Sequence, residues 1–500
     1  MAINTIFKSV SADYERNLDV KQIVMQCNFD TTSKGGVSKV CALSGDVRIT
    51  KTQTMSKQIK TSGRVCIKLV YLDAEGKLNS FDYISDFSED VNNDNVVADM
   101  PCLVRASVID MQSSISGSEI KVQTVVELAP TIVEINTVDV LEDAEGALSL
   151  KQDQQYQKYV CSVDESVDIN DEYSCGAKVD DVLLFDSKAI VGGVDNSDGK
   201  LVVTGQAEVS LIYTSEGVVS TKNFNIPFAQ ELAVKDEDLQ ACISASVKDS
   251  KLVIEGLEGD NTFKVTITVA LQGFVMQEQS INAVIDLYST ANVLDLGMEK
   301  VCFDRQDGVM RFEEKISGSV GVENSDDSIK SILSCIVTQN TLSNLVAMDG
   351  ALLAEGVLNT SVIYATEEGA TKCMQVELPY SLQFDADSVD ENTILSGSAL
   401  VSDCAYKVKR DREVEITANI VISVCAMTGV ENTIIKSVEE GEAIATNNNA
   451  VSIYLPDKGE SIWQVAKTLG MSIESIKEQN PDLDALMSGE ERIVIYREIG

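Results

Sequence analysis

The chain contains no histidine. That absence removes the Ser-His and Cys-His nucleophile pairs, the imidazole general base and every His-ligated metal centre. Cysteine is present but badly spaced for metal: twelve residues run from Cys27 to Cys425 without one CxxC pair, so zinc-ligand spacing is missing. Basic residues are in deficit, 40 Lys and Arg against 79 Asp and Glu, for a net charge of −39. Such a surface repels phosphate backbones and anionic lipid, which argues against nucleic-acid and membrane-surface binding and favours a basic partner. No apolar run approaches the roughly 18 residues that would suggest a bilayer span. The opening Met1-Ala-Ile-Asn-Thr-Ile-Phe-Lys8 lacks the charged start and long apolar run of a secretory leader. Scattered thiols without an export signal lead us to expect a reducing, cytoplasmic compartment and cysteines packed as core residues.

Nucleotide-binding glycine patterns are also missing, both GxxxxGK[ST] and GxGxxG. The acidic loop Asn324-Ser-Asp-Asp-Ser lacks EF-hand spacing and its closing glutamate. Carboxylate pairs such as Asp180-Asp181 and Asp326-Asp327 are what a surface with 79 acids provides. The expectation is a non-enzymatic protein without cofactor or metal.

What the chain does have is a threefold internal repeat. Gly63 precedes Tyr71 by eight residues in GRVCIKLVY, Gly205 precedes Tyr213 by eight in GQAEVSLIY, and Gly356 precedes Tyr364 by eight in GVLNTSVIY. Each segment alternates apolar and polar residues and ends on an aromatic, the pattern of a strand. Each leads into Glu-Gly, at Glu75-Gly76, Glu216-Gly217 and Glu368-Gly369, where glycine supplies the positive φ of a tight hairpin. Returning strands are expected at Ile84–Phe87, Ile226–Phe228 and Leu378–Tyr380. A further strand follows each tyrosine by 50 or 51 residues, starting at Lys121, Lys264 and Glu415. Upstream, an apolar cluster recurs at Val37/Val40/Cys41, Val179/Val182/Leu183 and Ile329/Ile332/Leu333.

A period of about 145 residues is too long for a solenoid, so each unit should be a β domain with its own core. The expected layout is mainly β: three tandem antiparallel, sandwich-like domains at 37–150, 151–295 and 296–440, a linker at 441–450, and a small domain at 451–500. Residues 1–36 form an N-terminal segment in which IVMQCNF can supply a strand to the first repeat. A short helical turn is expected at each upstream cluster. The polar stretches Asp139–Gln157 and Glu439–Asn449 read as connectors.

The last fifty residues change character. Strand Val451–Leu455 leads to Lys458-Gly-Glu-Ser461, then to Ile462, Val465, Ala466 and Leu469 on one helical stripe. Ser461 or Glu460 can start that helix and Gly470 can stop it. Ser472 heads a second helix, Asn480-Pro481-Asp482 makes a turn, and Ile493–Tyr496 returns as a strand. This βααβ order, with Gly459-Glu460-Ser461, Ile462-Trp463 and Asn480-Pro481, resembles the LysM module. The resemblance implies a groove walled by Gly459, Glu460, Ser461, Asn480, Pro481, Asp482 and Leu483, which in that family binds N-acetylglucosamine polymers. Glu460 stands where Asp is usual, and the closing strand has no proline. Trp463 is assigned to core packing, as an amphipathic-stripe residue.

Taken together, the G-x7-Y units, the Ile-Pro-Phe return strand and the terminal module resemble the SPOCS-domain spore-coat morphogenetic proteins, SipL type, over most of residues 37–497. That resemblance implies a scaffold for spore-coat assembly in the mother-cell cytoplasm at the forespore surface, not secreted. Its implied partners are a coat-basement morphogenetic ATPase, held through the LysM-like groove, and other coat proteins. The alternative is a cell-wall-associated protein binding peptidoglycan through the same groove. Gly63, Tyr71, Gly205, Tyr213, Gly356, Tyr364 and Trp463 are structural in either case.

Overall fold

The computed structural model describes residues 3–197, 200–234, 238–256, 261–322, 328–444 and 451–496. The acidic loop beginning at Asn324, the Asp326-Asp327 pair and the end of the 441–450 linker lie outside the described residues.

Unit 1 comprises β1 (Asn4–Ser11), β2 (Tyr14–Asn17), β3 (Lys21–Asp30), β4 (Lys39–Met55), β5 (Gln58–Leu72), β6 (Leu78–Asn92), β7 (Cys102–Ser116), β8 (Glu119–Glu134) and β9 (Thr137–Glu145). Unit 2 comprises β10 (Leu148–Ser174), β11 (Asp181–Ser197), β12 (Lys200–Ser215), β13 (Val218–Glu231), β14 (Leu239–Glu255) and β15 (Thr262–Tyr288). Unit 3 comprises β16 (Asn292–Gly321), β17 (Ile329–Met348), β18 (Ala351–Thr366), β19 (Thr371–Asp385), β20 (Thr393–Lys409) and β21 (Glu413–Ala443).

Every unit has the same topology. A three-stranded meander (β4-β5-β6, β11-β12-β13, β17-β18-β19) faces a second antiparallel sheet. In that second sheet the last strand lies between the first and the penultimate, as in β10-β15-β14 and β16-β21-β20. Unit 1 assembles the equivalent of β10 from three pieces: β1 pairs with β9, and β2 and β3 pair with β8. The N-terminal segment is therefore a paired edge of the first unit. Each sandwich has its own core. In unit 2, Val203, Ala207, Val209 and Leu211 of β12 pack in one cluster with Val265, Ile267, Val269 and Leu271 of β15. Alternate residues of each strand supply that face, which is why the period-2 pattern is readable in the sequence.

The repeat landmarks occupy matching positions. Tyr71, Tyr213 and Tyr364 pair across the meander with Val40, Val182 and Ile332, and a bulge follows each pairing. All three tyrosines are buried. Gly63, Gly205 and Gly356 pair with Phe87, Phe228 and Tyr380. A Cβ on Gly63 would sit 2.6 Å from the Phe87 ring and 2.7 Å from the Arg48 carbonyl. The glycine is thus the space into which the aromatic of the return strand lies. At the hairpins, Gly76, Gly217 and Gly369 adopt φ of 78°, 75° and 85°.

The units do not merely stand in line. The outer faces of the three meanders meet in one apolar cluster holding Ala42 and Val70, Leu184 and Ile212, and Ile336 and Ile363. At the opposite end of the long strands, the ribbons β1·β9, β10·β15 and β16·β21 converge. Val140, Ala283 and Ile434 share one cluster there, and Leu141, Val284 and Ile435 share the next. Each ribbon carries a bulge at the corresponding place, after Ile6, Leu150 and Gly297. The three units are therefore related by a pseudo-threefold arrangement, closed at both ends by burial.

Three expectations are corrected here. The upstream clusters form no helical turn: they begin β4, β11 and β17, and the one short 3-10 turn nearby, Thr32–Lys34, precedes them. Asp139–Gln157 is no connector, since it falls mostly in β9 and β10. Glu439–Ala443 is likewise the end of β21. Their polar composition hid strands that bury only one face, against the other ribbons, and that even bury Gln154 and Gln157.

Candidate functional site: the C-terminal module and its seat

The module runs β22 (Val451–Tyr454), α1 (Ile462–Leu469), α2 (Ile473–Gln479) and β23 (Ile493–Tyr496), with β22 and β23 antiparallel. Local signals set its helices. Ser461 caps α1 in a capping box: its hydroxyl accepts from the Gln464 N–H, and the Gln464 side chain accepts from the Ser461 N–H. Gly470 ends α1 in the left-handed region, and Ser472 caps α2. Val465, Ala466, Ile476, Ile493 and Ile495 are fully buried and form the module's small core.

Of the expected groove residues, Gly459–Ser461 lie against Ala485–Met487, the segment that follows Asn480–Leu483. The Ile462 N–H donates to Ala485 O at 2.9 Å, Met487 N–H to Glu460 O at 2.9 Å, and Gly459 N–H to Met487 O at 2.8 Å. The loop before α1 is thereby stitched to the segment that follows Asn480–Leu483. Several side chains are, however, committed inside the module. Glu460 accepts from the Tyr454 hydroxyl at 2.9 Å and the Asp457 N–H at 3.0 Å. Asn480 donates to Ile476 O and Val494 O, and accepts from the Val494 N–H at 2.9 Å. It ties the end of α2 to β23. Leu483 packs against the core, whereas Gly459, Pro481 and Asp482 are exposed. The face of the β22–β23 ribbon adds a second exposed feature that the sequence reading missed. Val451, Ile453, Leu455 and Tyr496 are 52–68% exposed.

Trp463 does more than fill the module's core. Its ring lies edge-on to Tyr288 with centroids 4.9 Å apart, and its indole N–H donates to Asp286 Oδ2 at 2.8 Å. Lys467 donates to the other carboxylate oxygen at 2.6 Å, and the Tyr288 hydroxyl donates to Met471 O at 2.7 Å. Tyr288 and Asp286 belong to the end of β15 in unit 2, with Leu148 and Leu150 of β10 packing alongside. Burial pushes the Tyr288 phenol up to about 12, with Glu474 and Asp286 adding to the rise. It remains a hydrogen-bond donor at neutral pH. The module is therefore seated on one of the three ribbon ends by a mixed aromatic and polar joint.

The joints between units carry buried charge. Lys68 of unit 1 pairs with Asp186 of unit 2 at 2.8 Å, both nearly enclosed, and also donates to the Phe185 carbonyl. Burial raises the Asp186 carboxyl, but Lys68 and Lys188 outweigh it and hold the group at about 2. Nearby, burial raises Glu208 to about 8 against the pull of Lys188. Where β2 meets β16, a cleft of about 920 Å³ is lined by charges of both signs, including Glu15, Arg16, Lys300 and Asp304. Burial raises Glu15 to about 7 and Asp304 to about 6. Among the described residues no cluster of three or more Cys, Asp or Glu has the arrangement of a metal site. No helix among the described residues is long and apolar enough to cross a membrane.

These features define a class: tandem two-sheet β domains joined through shared apolar clusters, with a βααβ module seated on one of them. Residues 36–116 and 178–255 match the family model described as SipL, SPOCS domain. The two matches cover equivalent spans, from the start of each meander to the strand that follows it (β4–β7 and β11–β14). Both spans are SPOCS-domain sequence of the SipL type, a likeness that points to a sporulation-related role. No curated protein and no solved structure matches it.

Proposed function

We propose that the protein is a non-enzymatic scaffold in spore-coat assembly, and that its C-terminal LysM-like module docks on a coat-basement morphogenetic ATPase in the mother-cell cytoplasm. Unit 3, which repeats the strand order of the two matched units, acts as a third SPOCS domain. One observation carries the reading: Trp463 is spent on the seat in unit 2, while the β22–β23 ribbon leaves Ile453 and the adjoining Leu455 more than 60% exposed. An exposed apolar face on a rigidly held module suits protein contact. A glycan groove depends on free polar side chains, and Glu460 and Asn480 are hydrogen-bonded internally. The net charge of −39 favours a partner with a basic contact surface.

Affinity purification of the tagged chain from sporulating cells should co-elute an ATPase of the coat basement. Ile453→Asp and Leu455→Asp should abolish that co-elution while leaving the circular dichroism spectrum and Trp463 emission unchanged. Retention of the chain on insoluble peptidoglycan, lost on substitution of Pro481 and Asp482, would replace this reading with the cell-wall alternative.

A further inference from the structure

Six of the twelve cysteines meet in three thiol pairs, and all three pairs involve unit 3. Cys335 Sγ of β17 and Cys404 Sγ of β20 lie 3.8 Å apart, joining the two sheets of that unit. Cys41 of β4 and Cys373 of β19 are hydrogen-bonded partners in the apolar cluster between units 1 and 3. The Cys373 thiol also lies 3.8 Å from Val40 O, next to Cys41. Cys242 of β14 and Cys425 of β21 form the corresponding hydrogen-bonded pair between units 2 and 3. Cys27 and Cys102, by contrast, are shifted by burial alone, up to about 11 and about 12.

We infer that these pairs are sites of disulfide formation, and that a small-molecule disulfide oxidant converts the three-unit body into a covalently closed one. Thiols at van der Waals contact need to approach by only about 2 Å to reach bonding distance. Cys404 is the entry point, because it lines the cleft between units 2 and 3 together with Glu208 and Asp403. Its hydrogen bond with Cys335 favours the thiolate and lowers the Cys404 thiol below its ordinary value, against burial. The Cys404 thiolate attacks the oxidant and releases one small thiolate, giving a mixed disulfide. The Cys335 thiol loses its proton to solvent, and its sulfur displaces the second small thiolate. Two protein thiols and one oxidant disulfide thus become one protein disulfide and two small thiols, with two electrons passed to the oxidant. The other two pairs follow the same exchange. Their links close chain loops between distant strands, the kind of crosslink that most restricts an unfolded chain. In a reducing compartment all three stay open.

The test uses the full chain, incubated with glutathione disulfide, unfolded in acid, and mass-tagged on remaining thiols. The expected tag count falls from twelve to six, and peptide mapping finds Cys335–Cys404, Cys41–Cys373 and Cys242–Cys425 links. The urea midpoint of the oxidised chain rises and returns on reduction. Cys404→Ser should lose one link and keep the other two. Should that variant fold poorly, Cys335→Ala serves the same purpose, since the mapped links of the unsubstituted chain decide the matter independently. Twelve tags after oxidation, glutathione adducts without internal links, or a product lacking Cys335–Cys404 would overturn the inference.

Discussion

The indole N–H of Trp463 donates to the carboxylate of Asp286, a residue 177 positions earlier in the chain, at 2.8 Å. This contact joins the terminal module to unit 2, and it makes the only tryptophan a reporter of that joint. Asp286→Ala should shift Trp463 emission to longer wavelength and speed proteolysis near residue 450, without lowering the main unfolding midpoint. Loss of the bond costs about 1–2 kcal/mol of docking free energy. Tyr288→Ala removes the ring contact and one further hydrogen bond, and should loosen the module more. Unchanged emission in both variants would contradict the seat.

Gly63 and its counterparts admit no side chain. Gly63→Ala should destabilise unit 1 by about 1–3 kcal/mol, the usual cost of overpacking. Combining it with Phe87→Leu should recover part of the loss, because the ring would withdraw while the Arg48 carbonyl would remain. Urea unfolding of the single and double variants measures both.

Asn480 belongs to the module's framework and Asp482 to its surface. Asn480→Ala strips three hydrogen bonds and should unfold the module, read as loss of the sharp Trp463 environment. Asp482→Lys should leave that environment intact. Ser461→Ala, which removes the α1 cap, should cost about 1 kcal/mol.

Raised carboxyl groups at the unit joints set a pH dependence. Glu208 and Glu15 are raised to about 8 and about 7 in the folded chain, so the folded state binds more protons than the unfolded one over this range. Stability therefore falls as pH climbs from the ordinary carboxylate range through about 7 and 8, and this loss is complete above. Glu208→Gln should flatten that slope and raise the unfolding midpoint at pH 9, with little effect at pH 4. Asp186, held at about 2, acts in the opposite sense, and its contribution is lost only in strong acid.

The Lys68–Asp186 pair spans two units while almost enclosed. Lys68→Met should cost about 3–5 kcal/mol by leaving a buried carboxylate uncompensated. Adding Asp186→Leu should restore most of it. Equal instability of single and double variants would show that the pair's hydrogen bonds to Ser44 and Phe185, not its charge balance, govern the joint.

By itself the sequence determined the repeat and the strand type of its landmarks. A strand buried on one face alternates with period two, so Gly63 to Tyr71 and its two counterparts keep parity, spacing and burial together. The caps of α1 and α2 were equally legible, because helix-end hydrogen bonds are made within a few residues. Tertiary structure alone decided the rest. The ribbons hidden in Asp139–Gln157 bury one polar-flanked face against other units, and no local pattern signals such a partner. Trp463 with Asp286, Lys68 with Asp186 and Cys335 with Cys404 are set by how sheets stack. A sequence records which side chains need burial, while only the packed fold selects what they are buried against.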